Sequence, residues 1–510
     1  MRRLAVVVIV ALSCVLAMAV VRFHRAPPSD VGFASTVLPA SFKTDSGPPF
    51  SSRFLTAGVP LSDPDRRSIA ADAADVVNGS AFPAATGVLL LDARSGRTLY
   101  AHNADVPLTP ASTIKLIVAG TALHDLGPAY RFRSLLATDG TVQAGELHGS
   151  IWLVGDGDPD LLSDDLRAAV RSLRSAGVRR VAGNVYADGS AFGTEAANRT
   201  WLLDDLQYGY AALASAVSIG GGTVQFTITP DASGRRAAVD VDPPAAAEKM
   251  VGEVSSGPAW SENTLRIDPL PAGWGFALSG SIPDGPPQKY WRSLEHPTVS
   301  AARALRALLL QAGIAVNGVA AARRAPQHAT ELWSHRSRPL QDIIKKMAFD
   351  SDNHIAEQLL RAVGLQAYGS GTLANGIAAE RSFLHRIGAD DKGIVLSDGS
   401  GLSTADRVTA RVLAAVLRSM VRQSDAAVLA SLLPRVGVDG TAKYRPLEED
   451  AKGRILGKDG YIEGASGLAG YVKTAHHGVL IYAFLVDDWQ KGLDAIWSGE
   501  DELLARLSRR

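Results

Sequence analysis

A serine and a lysine three residues apart could form the nucleophilic centre of a hydrolytic enzyme. They are Ser112 and Lys115 in the segment PASTIKL, where a helix is predicted to begin after Pro110. Residues three apart lie on one face of a helix about a turn apart, so the lysine amine can reach the serine hydroxyl. The positive end of the helix favours an alkoxide and directs backbone N–H groups at it. The same spacing often arises by chance as a helix cap and a surface lysine, so the pair needs support from other motifs.

Two other short motifs could complete such a site. Ser351 and Asn353 flank one aspartate just before an amphipathic helix, and in an extended loop both can face one side. There a hydroxyl could relay a proton and an amide could hold a peptide bond. Lys458, Asp459 and Gly460 lie on a predicted strand, where the lysine would supply a fixed positive charge and the glycine would let a substrate approach the backbone. Taken singly, the first motif indicates a helix N-cap and the second a turn.

Hydrophobic patterning predicts the elements that position these motifs. Strand-like runs lie before Ser112 and again in residues 453–486, whereas helical periodicity dominates residues 299–421. Strands at both ends with helices between them predict an α/β domain, in which one antiparallel sheet is flanked by helices. Residues 133–295 carry short strand-like runs broken by Gly, Asp and Pro, and are predicted to be an inserted β-rich region. The predicted catalytic domain therefore consists of residues 69–132 and 296–510.

The N-terminus predicts export. Residues 4–21 are uncharged and mostly apolar between flanking arginines, a length that just spans a bilayer. Residues 1–25 are therefore expected to be either an uncleaved membrane anchor or a cleaved signal. Residues 26–68 are rich in Pro, Ser and Gly and are expected to be a spacer. The catalytic domain would then be extracytoplasmic and anchored at the cell membrane, or secreted to the periplasm or cell wall if the signal is removed.

Composition excludes several classes of function. Lys+Arg and Asp+Glu are 52 each, and a neutral chain without a basic block is a poor nucleic-acid binder. Cys14 is the only cysteine, so an intramolecular disulfide and a thiolate metal cluster are excluded. Asp156 begins a segment like a calcium loop, but Leu161 and Arg167 stand where that loop needs Gly and Glu. No metal or other cofactor is therefore expected.

Together the three motifs resemble the S-x-x-K, S-D-N and K-T-G signature of penicillin-binding proteins and class A β-lactamases. The surrounding residues resemble the serine D-alanyl-D-alanine carboxypeptidase/endopeptidase family, whose low-molecular-mass penicillin-binding members carry a large insertion after S-x-x-K. The matching segments are PASTIKL (110–116), LVGDGDPDLL (153–162), FDSDNHIAEQLL (349–360), LSDGSGLS (396–403), LLPRVGVDGT (432–441) and GASGLAGYV (464–472). The resemblance implies a penicillin-binding/β-lactamase-like α/β fold, with the insertion as a β-rich region beside the cleft.

The resemblance also implies a role for each motif residue. Ser112 would be the acylated nucleophile, Lys115 its general base, and Ser351 a relay that passes the proton to the leaving amine. The residues implied to bind substrate or stabilise charge are Asn353 for the substrate amide, Lys458 for the relay and the terminal carboxylate, Gly460 for close approach of the backbone, the N–H groups of Ser112 and Tyr461 for the oxyanion hole, and Asp188 for the peptide's diamino-acid side chain.

Three positions leave alternatives open. The family has threonine where this chain has Asp459, whose carboxylate would oppose the substrate's terminal carboxylate unless Lys458 neutralises it or the side chain turns away. Asp188 fits a turn aspartate equally well. Ser400, in a turn expected to line the cleft, is a second candidate for the nucleophile.

The sequence thus predicts an exported serine D-alanyl-D-alanine carboxypeptidase, with endopeptidase activity as a further option. It would trim peptidoglycan stem peptides and be acylated by β-lactams at Ser112. One alternative is a weakly active or non-catalytic homologue that binds wall peptide as a scaffold, which Asp459 alone supports. Another is a serine β-lactamase or esterase on the same domain. The long insertion argues against that second alternative, because small β-lactam substrates would not require it.

Overall fold

The structure, a computed structural model, describes most of the chain after the predicted spacer. The described residues are 58–79, 82–194, 196–231, 233–247, 249–271, 274–423, 431–488 and 492–510. The predicted anchor or signal (1–25) and residues 26–57 of the predicted spacer (26–68) lie outside the described residues. The predicted end of the spacer is wrong, because a helix already begins at Asp63. None of the described helices is both long and apolar enough to cross a membrane.

Helices and strands are distributed along the whole described chain. The helices are α1 (Asp63–Gly79), α2 (Lys115–Asp125), α3 (Ser163–Ser175), α4 (Pro297–Gln311), α5 (Leu340–Asp350), α6 (Asn353–Tyr368), α7 (Leu373–Arg386), α8 (Ala410–Gln423) and α9 (Leu493–Ser508). The strands are β1 (Thr86–Asp92), β2 (Thr98–His102), β3 (Arg133–Thr138), β4 (Thr141–Gln143), β5 (Glu146–His148), β6 (Ile151–Gly155), β7 (Arg180–Val181), β8 (Val185–Asp188), β9 (Thr223–Thr229), β10 (Ala238–Asp242), β11 (Lys249–Gly252), β12 (Ser255–Gly257), β13 (Arg266–Pro269), β14 (Gly275–Ser279), β15 (Ser281–Pro283), β16 (Gln288–Ser293), β17 (Ala315–Val316), β18 (Ala320–Ala322), β19 (Thr330–Arg336), β20 (Ile455–Ile462), β21 (Ala465–Lys473) and β22 (Val479–Asp487).

One antiparallel sheet joins the two parts of the predicted catalytic domain, with the strand order β2-β1-β22-β21-β20. β1 lies between β2 and β22, and Thr86 at its start pairs with Val486 near the end of the chain. β1 is a run of buried apolar residues rather than an alternating pattern, because helices cover both faces of the sheet. The prediction of one antiparallel sheet flanked by helices is confirmed.

Successive side chains of β1 enter different hydrophobic cores. Leu89 and Leu91 pack in the core that contains residues of α2 and of α5–α8, whereas Val88 and Leu90 pack with α1 and α9 on the other face. Ile114, next to the start of α2, belongs to the first of these cores. The elements that carry the sequence motifs therefore meet on one face of the sheet.

The inserted region is rich in strands, as predicted. Its strands form sheets with the orders β18-β8-β6-β3-β19 and β17-β7-β5-β4, and α3 and α4 share a hydrophobic core with them. The remaining strands form smaller sheets with a core of their own around Phe226, Phe276 and Ile282.

Strand pairing extends the inserted region beyond residue 295, where the change in sequence texture indicates its end. β19 pairs with β3, while β17 and β18 pair with β7 and β8, so the pairing continues to Arg336. Helix α4 buries Leu305 and Leu308 in the core of the inserted region. Helical periodicity shows which face of a helix is buried but not which core covers it, which is why the sequence assigned α4 to the catalytic domain.

Candidate active site

Ser112 and Lys115 come together where a short 3₁₀ turn runs into α2. Ser112 lies in the turn Ala111–Ile114, Lys115 is the first residue of α2, and the lysine Nζ lies 2.8 Å from Ser112 Oγ. Neighbouring segments place glycines against this turn. A Cβ on Gly401 would lie 2.0 Å from the carbonyl oxygen that precedes Ser112, and one on Gly460 would lie 2.7 Å from Ser112 N. Close backbone packing therefore holds the serine on two sides.

The amine of Lys115 is buried among hydrogen-bond acceptors. Besides the serine hydroxyl, it donates to Asn353 Oδ1 at 2.7 Å and to the Ser400 carbonyl at 2.6 Å. Burial, helped by the nearby charge of Lys458, lowers the pKa of Lys115 to about 7, although Asp398 and other acids act in the opposite direction. Near neutral pH much of this lysine is therefore an uncharged amine, which can take the proton of the serine hydroxyl.

The Ser351–Asn353 motif forms the corner between α5 and α6, not the extended loop expected from its spacing. Ser351 ends α5 in the left-handed conformation with a φ of 53°. Asp352 is the N-cap of α6, and its carboxylate accepts a hydrogen bond from the N–H of Ile355 at 3.0 Å. The cap begins the helix at Asn353, so the asparagine takes its place in the site from the end of α6.

The two polar side chains of this corner have different partners. Asn353 accepts from Lys115 through Oδ1, and its Nδ2 donates to the carbonyl of Tyr210 in the inserted region at 2.9 Å. The Ser351 hydroxyl makes no hydrogen bond to any residue that the structure describes. Asn353 is thus fixed between the two regions, while the Ser351 hydroxyl remains available to a substrate.

Strand β20 borders the turn that carries Ser112. The N–H of Gly457 donates to a carbonyl on the side away from β21. Because backbone groups alternate along an antiparallel strand, Asp459 and Tyr461 direct their N–H and C=O groups to that same side. Gly460, between them, lies against the 3₁₀ turn. The strand therefore presents the backbone of Tyr461 at the sheet edge beside Ser112.

Lys458 is buried and paired with the next residue of its own strand. Its Nζ lies 2.7 Å from Asp459 Oδ1 and also donates to the Asp459 carbonyl, while the Thr441 hydroxyl donates to the same carboxylate. Burial alone would raise the pKa of Asp459, but the Lys458 charge and these hydrogen bonds outweigh it and hold the pKa below its usual range. Asp459 is therefore ionised near neutral pH. Of the alternatives that the sequence leaves open, the structure shows neutralisation by Lys458.

Ser400 contributes its carbonyl group, not its hydroxyl, to the site. The hydroxyl is buried and accepts from the N–H of Leu402 at 3.4 Å, whereas the carbonyl accepts from Lys115 and lies 3.5 Å from Ser112 Oγ. This arrangement does not favour Ser400 as the nucleophile. Sequence reasoning missed this carbonyl and that of Tyr210, because every residue type has one. The segment LSDGSGLS was the signal that could have directed attention to the loop.

Asp188 ends β8 in the inserted region and binds backbone. Its Oδ1 accepts from the N–H of Ser190 at 2.9 Å, and its Oδ2 accepts from the N–H of Ala325 at 2.8 Å. The side chain is buried. Since backbone donors occupy both oxygens, the geometry agrees with the turn alternative, and no described hydrogen bond links Asp188 to Ser112 or Lys115.

The assembled groups are suited to acyl transfer. A serine hydroxyl contacts an amine of lowered pKa, and a second lysine and outward-facing backbone N–H groups lie nearby. Among the described residues, no group of three or more His, Cys, Asp and Glu side chains could hold a metal ion.

Comparison with known proteins finds relatives over most of the chain. A model of the D-Ala-D-Ala carboxypeptidase 3 (S13) family matches residues 69–507. The D-alanyl-D-alanine carboxypeptidase of Actinomadura sp. (strain R39) is 32% identical over 406 residues, which are 76% of this chain and 75% of that protein. The D-alanyl-D-alanine carboxypeptidase DacB of Haemophilus influenzae is 25% identical over 416 residues, 80% of this chain and 86% of that protein.

A solved structure has the same fold. The crystal structure of penicillin binding protein 4 (dacB) from Haemophilus influenzae superposes on 86% of this chain and 99% of its own, with a TM-score of 0.74 and 24% sequence identity. A structure of the same protein complexed with a β-lactam has a TM-score of 0.69. These likenesses confirm the penicillin-binding/β-lactamase-like fold. With a family match over residues 69–507 and a relative 32% identical, the chain belongs to the D-Ala-D-Ala carboxypeptidase 3 (S13) family of serine-type peptidases.

Proposed function

We propose that this carboxypeptidase trims peptidoglycan stem peptides through an acyl-enzyme on Ser112. The observation that carries the proposal is the buried Lys115 amine, 2.8 Å from Ser112 Oγ with a pKa of about 7. A general base works best when its pKa is near the working pH, and a buried amine of this kind meets that condition. The activity named for the Actinomadura relative supports the same substrate class.

Acylation transfers one proton along a chain of side chains. The uncharged Lys115 takes the hydroxyl proton of Ser112, and Oγ attacks the carbonyl carbon of the penultimate D-alanine. The N–H groups of Ser112 and Tyr461 stabilise the oxyanion, a contribution of ~100–1000-fold in rate for a typical donor. The proton then passes through the Ser351 hydroxyl to the nitrogen of the terminal D-alanine, and the C–N bond breaks. Asn353 and Lys458 hold the substrate amide and the terminal carboxylate.

Deacylation repeats these proton transfers with water. Lys115 takes a proton from a water molecule, the hydroxide attacks the ester carbonyl, and Ser112 leaves with the proton. A β-lactam enters by the same attack, but its leaving nitrogen stays attached through the opened ring and remains in the site. We therefore propose that β-lactams acylate Ser112 and block the site. The β-lactam complex of the Haemophilus protein supports this proposal.

The alternatives differ in how well they fit the site. A scaffold without catalysis does not require a serine in contact with a buried amine. A further endopeptidase activity has one observation in its favour, the pairing of Lys458 with Asp459. This pairing reduces the positive charge available to a substrate's terminal carboxylate, and so lessens the advantage of a free C-terminus over a cross-linked peptide.

Acylation of Ser112 is the direct test of the function. Benzylpenicillin should add its own mass to the protein, and peptide mapping should locate the adduct on Ser112. Ser112→Ala should form no adduct and should release no D-alanine from a stem pentapeptide, because the remaining groups cannot form an acyl-enzyme. Ser498→Ala, at an exposed serine of α9, should behave as the wild type. If the Ser112→Ala protein retains more than a few per cent of the D-alanine release, the nucleophile is another residue.

The pH dependence of acylation should report the pKa of Lys115. The base must be uncharged, so the rate should fall as the pH drops below about 7. Lys458→Met removes a positive charge that lowers this pKa and leaves Asp459 without its partner; both changes raise the pKa of Lys115. The acidic limb of the rate profile is the range in which the rate falls with decreasing pH. This limb should therefore shift to higher pH by about one unit, equivalent to about 1.4 kcal/mol.

The measurement is the second-order rate constant for benzylpenicillin between pH 5 and 9. Lys392→Met, at an exposed lysine, should leave the limb in place. A limb that stays near its wild-type pH in Lys458→Met would contradict the electrostatic link between the two lysines.

Replacing Asp459 should speed acylation. Asp459→Thr removes the carboxylate that pairs with Lys458, so the lysine charge becomes available to the carboxylate of a peptide or of penicillin. A tenfold rise needs only about 1.4 kcal/mol. A unit charge at ~4 Å is worth about 4 kcal/mol at an effective dielectric near 20. Asp459→Asn separates the loss of charge from the gain of a hydroxyl group. Equal acylation rates for wild type and Asp459→Thr from pH 5 to 8 would mean that the pairing with Asp459 does not reduce the Lys458 charge available to the substrate carboxylate.

We further propose that residues 4–21 carry the chain out of the cytoplasm and hold it at the membrane, which the uncharged apolar run supports. Deleting residues 1–25 should give a soluble protein that still forms the penicillin adduct, because the deleted residues all lie before the predicted catalytic domain. Fractionation of cells with the full-length protein tests the anchor. A mature chain that starts near Val20 and is free of the membrane would show a cleaved signal, and a truncated protein found only as an aggregate would contradict the boundary.

A further inference from the structure

The carbonyl that holds the Lys115 amine belongs to a loop anchored by buried carboxylates. We call residues 397–403 the carbonyl loop, because the Ser400 carbonyl in it accepts from Lys115 Nζ at 2.6 Å. The Glu357 carboxylate of α6 accepts from the backbone N–H groups of Gly399 and Ser400 at 2.8 and 3.0 Å through one oxygen. These bonds fix the loop backbone on the N-terminal side of the Ser400 carbonyl, whose own planar peptide unit ends in the N–H of Gly401.

Asp398 holds the same loop from the inside. Its Oδ1 accepts from the N–H groups of Ser400 and Gly401 at 3.0 and 2.6 Å, and its Oδ2 accepts from the N–H of Ser403 at 2.8 Å. The Trp201 indole Nε1 also donates to Oδ2, at 2.7 Å. Trp201 belongs to the inserted region, so a carboxylate next to the catalytic carbonyl is held in part from outside the catalytic domain.

Other hydrogen bonds join the same two segments. Asn198 Nδ2 donates to the Ser397 carbonyl at 2.6 Å, and the hydroxyls of Thr200 and Ser403 form a hydrogen bond of 2.7 Å. Trp201 is only 7% exposed and Ser403 is fully buried. Buried hydrogen bonds of this kind are costly to leave unmade, so the segment 198–201 and the carbonyl loop keep a defined relative position.

Charged groups face Lys115 from each element packed around it. Lys458 approaches from β20 and lowers its pKa, while Asp398 of the carbonyl loop and Asp352 and Glu357 of α6 raise it. The indole N–H holds the Asp398 carboxylate in position. Loss of this donor should therefore let the carboxylate and the carbonyl loop move away from the Lys115 amine, and both changes make the charged form of Lys115 less stable.

Burial raises the pKa of other acids that face the carbonyl loop. Asp406 has a pKa raised to about 10 by burial and by the charge of Asp398. Burial likewise raises the pKa of Glu380 on α7 well above its usual range. Asp406 is therefore protonated at neutral pH and does not replace the Asp398 carboxylate near Lys115.

We propose that Trp201 of the inserted region is a positioning residue for the reaction, since it holds Asp398 and, through Asp398, the Ser400 carbonyl that orients the Lys115 amine. The inserted region then helps to orient the general base, Lys115, in addition to any contact it makes with the peptide. The inference rests on the proposed function, in which Lys115 activates Ser112.

The test compares two buried tryptophans of the inserted region in the full-length protein. Trp201→Phe removes the indole donor and keeps an aromatic ring. Trp152→Phe is the matched control, because Trp152 is 2% exposed and its indole N–H has no hydrogen-bond partner among the described residues. The readout is the rate of Ser112 acylation by benzylpenicillin between pH 5 and 9. Trp201→Phe should acylate about tenfold more slowly, with its acidic limb at lower pH than in the wild type. Trp152→Phe should stay within about twofold, with its limb unchanged.

The remaining outcomes separate the inference from the function. A wild-type protein that forms no adduct on Ser112 would refute the proposed function itself. If the wild type is acylated and Trp201→Phe is acylated at the same rate with the same pH profile, only the inference about Trp201 is refuted. Equal losses in both tryptophan variants would also refute it, since packing alone would explain them. If Trp201→Phe does not fold, Thr200→Val removes the adjoining hydrogen bond between the segment 198–201 and the carbonyl loop, at Ser403, and keeps the shape of the side chain. An acylation rate about threefold lower, with a lowered acidic limb, would support the proposal, and an unchanged profile would refute it.

Discussion

The buried amine of Lys115 is the constraint on which the catalytic half of the molecule depends. An ammonium group taken out of water loses most of the solvation that stabilises its charge, and a deeply buried lysine can titrate several units below its usual pKa. Here Asp398, Asp352 and Glu357 oppose that effect, and carbonyl oxygens accept from the amine, so that it titrates near neutral pH. The elements that carry these groups must be assembled before Ser112 has a base.

A second buried lysine, Lys458, further destabilises the charged form of Lys115. Lys458 lies close enough to Lys115 to lower its pKa, and an unpaired charge there would lower it further. Asp459 compensates that charge within the strand, and the Thr441 hydroxyl holds the carboxylate in place. The exchange of the family's threonine for aspartate therefore changes the charge balance of the cleft. The backbone contact between Gly460 and the Ser112 turn does not depend on that side chain.

The sequence predicted those parts of the structure that depend on side-chain pattern. Apolar runs at both ends of the domain predicted strands of one sheet, and the spacing of Ser112 and Lys115 placed their side chains on one face of a helix. The Ser400 carbonyl could not be predicted, because only the path of the backbone decides where a carbonyl points. The corner at Ser351 was missed because its residues fit an extended loop equally well. Its left-handed conformation follows from the way in which α5 turns into α6.

The order of strands in the catalytic sheet also determines when activity can appear during biosynthesis. β1 is made early, but its partner β22 and the edge strand β20 lie beyond the inserted region and the helices. Pairings between segments so distant in sequence form late, because the intervening chain must first be made and closed into a loop. A growing chain therefore carries Ser112 long before it carries Lys458 or a sheet edge to hold Gly460. An unfinished polypeptide displays the serine without the cleft and cannot be acylated until its last strands have been synthesised.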